Sequence, residues 1–75
     1  MEVDIAIDTK GMKCPLPVLK AKMALKTMSP GQLLSVTATD TGSVADFKSF
    51  CETTGNDLIS SKSADGVYNY LIRKQ

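Results

Sequence analysis

Apolar and polar residues alternate from the third position. In Val3-Asp4-Ile5-Ala6-Ile7-Asp8, the residues Val3, Ile5 and Ile7 fall on one side, the period-two pattern of a half-buried strand. The alternation ends by Gly11. From Pro15 to about Met28, Leu, Lys, Ala and Met dominate, and Ser29-Pro30-Gly31 supplies a stop, so this segment reads as a helix. Alternation returns over residues 33–39, with Leu34, Val36 and Ala38 inward and Ser35, Thr37 and Thr39 outward. A second helix is expected over residues 44–54. Ser43 with Asp46 three residues on has the form of a capping box, and Gly55 suits the position just past the end. Val44, Phe47, Phe50 and Cys51 recur at three- and four-residue spacings and predict one buried stripe. A weakly patterned strand over residues 57–63 is joined by Asp65-Gly66, a hairpin turn of the primed type, to a clearer strand at Val67-Tyr68-Asn69-Tyr70-Leu71-Ile72.

The order βαβαββ implies a two-layer α/β sandwich: a four-stranded mixed sheet with two helices on one face. Each helix returns the chain to a parallel strand, and the last two strands pair antiparallel. Residues 1–75 are enough for one domain with one modest core. Helix one carries more apolar surface than one buried face requires. Val18, Ala21, Leu25 and Met28 form one stripe, assigned to the core. Leu16, Leu19 and Met23 form another, bordered by Lys20, Lys22 and Lys26, which reads as a docking surface for protein partners.

Charge narrows the function classes. Nine basic against eight acidic residues leave a formal charge of +1, so no overall electrostatic footprint favours nucleic acid or a membrane surface. The acidic start and the lack of a long apolar stretch lead to the expectation of a cytoplasmic protein with no membrane partner. There is no histidine, which removes imidazole metal sites and Cys-His or Ser-His pairing. Two cysteines without Cys-x-x-Cys spacing make a poor zinc site, and no metal is expected. A disulfide between them is disfavoured where thiols stay reduced.

Cys14 lies between the first strand and the first helix. Pro15 suits the first helical position, so Cys14 reads as the N-cap or its neighbour. At a helix start, unpaired N–H groups and the positive end of the macrodipole favour a thiolate, and Lys10 and Lys13 add positive charge. Gly11 lets the loop turn, and Asp8 is expected to fix the loop by accepting backbone N–H groups. Pro17 stiffens the first turn where N–H groups lack partners. Cys51, on the apolar stripe beside Phe47 and Phe50, reads as a buried and inert packing residue.

The pattern Asp8-x-x-Gly11-x-x-Cys14-Pro15-x-Pro17, followed by a Lys-rich helix, resembles the TusA/SirA-like family of small sulfur-carrier proteins. The likeness extends through Thr39-Asp40, Phe50-Cys51, Gly55-Asn56-Asp57-Leu58, Asp65-Gly66 and Tyr70-Leu71-Ile72-Arg73-Lys74, essentially the whole chain. The resemblance implies a four-stranded mixed sheet with two helices, similar to the C-terminal domain of a translation initiation factor. It implies that Cys14 accepts sulfane sulfur as a transient persulfide from a cysteine desulfurase or rhodanese-like donor and passes it to an acceptor protein. No other cofactor is expected. Downstream routes in the family include tRNA thiolation, molybdenum cofactor supply and sulfur oxidation. Such a chain is a sulfurtransferase-type carrier rather than an autonomous small-substrate enzyme. Two rivals stand beside this reading. One is a non-catalytic regulatory or interaction module; the other is an RNA-binding domain suggested by fold analogy, for which the chain offers few aromatics to stack on bases.

Overall fold

The computed structural model describes residues 2–75. The described chain runs β1 (Ile5–Thr9), α1 (Leu16–Lys26), β2 (Leu33–Ala38), α2 (Ser43–Thr54), β3 (Asp57–Ala64) and β4 (Val67–Arg73), the order that the patterning predicts. The sheet order is β1-β2-β4-β3. β1 and β2 pair in parallel, with Ile5 opposite Leu34 and Ile7 opposite Val36. β4 enters the middle of the sheet antiparallel to both neighbours, with Ile72 opposite Leu34 and Tyr70 opposite Val36. β3 closes the far edge, its register shifting between Leu58 and Ser60. That extra residue is a bulge, a device common at sheet edges. Asp65 (φ 52°) and Gly66 (φ 79°) both turn left-handed, which a two-residue primed hairpin requires.

The strand registers stack the inward rows into one core. Leu34, Val36, Ala38, Tyr70 and Ile72 from the sheet meet Ala21 and Leu25 from α1, Met28 just past its end, and Phe47 and Cys51 from α2. Phe47 stacks on Tyr70, with ring centroids 4.6 Å apart and planes at 24°. Each large side chain buried there contributes roughly 1.5–3 kcal/mol. The opposite sheet face is polar in its middle, where the Thr37 hydroxyl donates to Asn69 Oδ1 at 3.0 Å.

Four sequence expectations change. Val3 lies before β1 and is 45% exposed; the segment is anchored instead by Asp4, whose N–H donates to the Leu33 carbonyl and whose Oδ2 accepts the Leu33 N–H. Val44 is also exposed, so the buried stripe of α2 is Phe47 and Cys51 with Phe50 half-buried. The capping box at Ser43 does not form. Gly42 is the N-cap, Ser43 is the first helical residue, and its hydroxyl is 2.6 Å from the Tyr70 hydroxyl inside the core. Pro15 is the N-cap of α1 rather than its first helical residue, joined to Cys14 by a cis peptide bond. Gly55 does close α2 left-handed (φ 79°), its N–H donating to the Cys51 carbonyl.

Candidate functional site

The loop between β1 and α1 is pinned at several points. The Thr9 hydroxyl donates to the Thr37 carbonyl at 2.7 Å, and Asp8 Oδ1 accepts the Lys10 N–H at 2.9 Å. The Lys10 ammonium lies 3.8 Å from Asp8 Oδ2. Asp8 therefore has the loop-fixing contact expected of it, and it occupies Lys10. Gly11 takes φ 83°, a region that side-chain-bearing residues rarely adopt, and its N–H donates to Thr39 Oγ1 at 2.9 Å. This bond ties the loop to the turn between β2 and α2. Lys13 is exposed, and its carbonyl accepts the Leu16 N–H at 2.9 Å. The chain then reaches Cys14, an exposed free thiol, while Cys51 is free and buried.

Cys14 stands at one end of a groove of about 440 Å³ between the helices. From α1 the groove is lined by Val18, Leu19 and Lys22, and from α2 by Asp46, Ser49, Phe50 and Thr53. Pro17, in the first turn of α1, is fully buried. Leu16, Leu19 and Met23 are 47%, 46% and 66% exposed, so the second apolar stripe of α1 does lie outside the core. Lys20, Lys22 and Lys26 are exposed around it. Of these six, Leu19 and Lys22 share the groove with Cys14; Leu16, Lys20 and Met23 do not line it, and Lys26 lines a smaller cavity with Lys74 and Asn56.

The groove wall from α2 was not anticipated. Asp46, Ser49, Phe50 and Thr53 recur at three- and four-residue steps, the helical spacing that places side chains on one face. Phe50 belongs to both surfaces, packing against the core and lining the groove, so the apolar pattern alone does not separate the two.

The electrostatics at Cys14 run opposite to the expectation of a stabilised thiolate. The thiol is pushed up from the ordinary cysteine value, first by the Asp46 carboxylate as hydrogen-bond acceptor, then by desolvation, and then by the negative charges of Asp46 and Asp40. The helix end explains why nothing offsets this. Cys14 precedes the N-cap, no side chain caps the helix, the Leu16 N–H is already bonded to the Lys13 carbonyl, and Pro15 and Pro17 have no N–H to offer. Lys10 is held at Asp8. Among the described residues no cluster of three or more His, Cys, Asp or Glu has the arrangement of a metal site. Among the described residues no helix is long and apolar enough to cross a membrane.

Comparison with known proteins finds similarity across nearly the whole chain. The sulfur carrier protein TusA of Allochromatium vinosum is 49% identical over 73 residues, covering 97% of this chain and 96% of the relative. A putative sulfur carrier protein of Neisseria meningitidis is 45% identical over 67 residues, covering 89% of this chain and 90% of its own length. The crystal structure of a SirA-like protein from Desulfitobacterium hafniense superposes with a TM-score of 0.82 at 30% identity, covering 92% of this chain and 95% of that one. The family model described as sulfurtransferase TusA matches residues 5–74, and with these relatives it makes the chain a member of the TusA family.

Proposed function

We propose that the protein is a sulfur carrier loaded at Cys14. The observation that carries this reading is the contrast between its two thiols in a chain whose relatives are sulfur carriers: Cys14 is exposed at an inter-helix groove, and Cys51 is enclosed by the core. In loading, Cys14 sulfur attacks the outer sulfur of a donor persulfide. A new S–S bond forms at Cys14, the donor's S–S bond breaks, and the donor sulfur leaves as a thiolate that takes up a proton. One thiol and one persulfide enter, and one persulfide and one thiol leave, so no external oxidant is needed. A downstream acceptor, such as a protein thiol, then attacks the same outer sulfur; its bond to Cys14 breaks, and Cys14 leaves as a thiolate that takes up a proton.

The donor is a cysteine desulfurase or rhodanese-like protein, and the acceptor is a protein of the sulfur-using route. Leu19 and Lys22 in the groove, with Leu16, Lys20, Met23 and Lys26 around the exposed face of α1, supply the docking surface. No resident cofactor enters the scheme, and the persulfide is transient. The protein works as a relay at the surface, since the groove is open and presents no imidazole base.

The test is loading by a cysteine desulfurase supplied with cysteine, read on the intact chain by mass spectrometry. Wild type and Cys51→Ser gain one sulfur, and Cys14→Ser gains none. Retention of the added sulfur in Cys14→Ser would exclude the assignment.

A further inference from the structure

Asp46 occupies the first turn of α2 and lines the same groove as Cys14. Local structure leaves its carboxylate free. The helix begins at Gly42, which has no side chain to engage it, and the Ser43 hydroxyl turns inward to Tyr70. Among the described residues the single ion pair joins Lys10 to Asp8, so Asp46 has no cationic partner. Asp40 approaches from the turn before the helix. Oδ2 of Asp40 and Oδ2 of Asp46 lie 3.3 and 3.9 Å from where a Cβ on Gly42 would stand. The charged groups around Cys14 are thus Asp46 on α2, Asp40 on the preceding turn, Lys22 farther along the groove on α1, and its loop neighbour Lys13.

We propose that Asp46 is a positioning residue for sulfur transfer: its carboxylate accepts the Cys14 S–H, holds the sulfur against the groove wall and keeps the unengaged carrier as a thiol. The direction of the Cys14 titration agrees with this geometry, since Asp46 is its first cause. The consequence is a carrier guarded against indiscriminate chemistry. An exposed cysteine activated to a thiolate reacts with any disulfide or oxidant, whereas a thiol does so slowly. During loading the Cys14 proton departs as its sulfur bonds to the donor's outer sulfur, and the released donor thiolate takes up a proton. Asp46 stands where that proton begins its path.

The inference rests on Cys14 being the loading point, but its test needs no sulfur donor, so the two readings fail separately. Alkylation by iodoacetamide is followed peptide by peptide across the pH range of cysteine ionisation. In wild type, the Cys14 midpoint lies above that of the same cysteine in the urea-unfolded chain. Asp46→Asn moves the midpoint down and raises the rate at neutral pH about threefold or more, with an unchanged plateau at high pH. Asp40→Asn moves it in the same direction by less, and Asp46→Glu keeps it raised. Slow labelling of Cys51 reports that each variant remains folded. A wild-type midpoint at or below that of the unfolded chain overturns the proposal without any variant. So does a midpoint unmoved in folded Asp46→Asn, or a plateau that changes alone, which would mean that Asp46 governs access.

Discussion

The Ser43 hydroxyl shows how a residue's partner decides its role. Three residues before Asp46 it has the form of a helix cap, yet it lies 2.6 Å from the Tyr70 hydroxyl, both groups being buried. Removing it leaves a phenol hydroxyl enclosed without a partner. Ser43→Ala is therefore expected to cost about 1–3 kcal/mol in denaturant unfolding, and pairing it with Tyr70→Phe to recover part of that loss, because no orphan polar group remains. Equal costs for single and double variants would contradict the bond. The partner is distant in sequence, so a local pattern could not reveal it. Cys14 repeats the lesson. Its exposure and loop position were legible from Gly11 and the two prolines, but the charges that govern it were not. Lys10 and Lys13 are neighbours in sequence; Asp46 and Asp40 are neighbours only after folding.

At the scale of elements, period carried most of the information. The two apolar lines of α1 were separable on a helical wheel because Ala21 and Leu25 repeat on one face and Leu19 and Met23 on another, and their burial follows that division. Val44 stands three residues before Phe47 and so matches the stripe in spacing, yet it is 44% exposed, because a step of three alone does not set how far the covered face extends. The place of β4 between β2 and β3 was also beyond local reading, because strand order depends on pairings between distant segments. The exposed line of α1 yields a clean contrast. Leu19→Glu and Met23→Glu should change unfolding free energy by no more than about 0.5 kcal/mol, while Ala21→Glu, which buries an unpaired carboxylate, should prevent folding. If α1 docks partners, Leu19→Glu also slows sulfur loading from a protein donor. Loading at the wild-type rate in folded Leu19→Glu would remove that residue from the docking surface.

The whole molecule separates two thiols by burial, and this gives it an alkaline limit. Burial, with a contribution from Asp57, pushes the Cys51 thiol up to about 11. A folded value above the unfolded one means that the protonated thiol favours the fold. That stability is fully present below the ordinary cysteine value of 9.0 and is lost as pH rises to about 11. Burial raises Tyr70 as well, in the same sense. Melting temperature should therefore fall between about pH 9 and 11, and less steeply in Cys51→Ala, whose smaller side chain lowers it at neutral pH instead. Parallel pH profiles for the two proteins would contradict the linkage. Near neutrality the molecule presents one exposed thiol, at the end of a groove walled by both helices. The most direct measurement of its role is to incubate the wild-type chain with a cysteine desulfurase and cysteine, digest it without reductant, and locate the added sulfur by peptide mass spectrometry. The account predicts one additional sulfur atom on the peptide containing Cys14, released on incubation with an acceptor thiol. Sulfur found on the Cys51 peptide, or on neither, would contradict it.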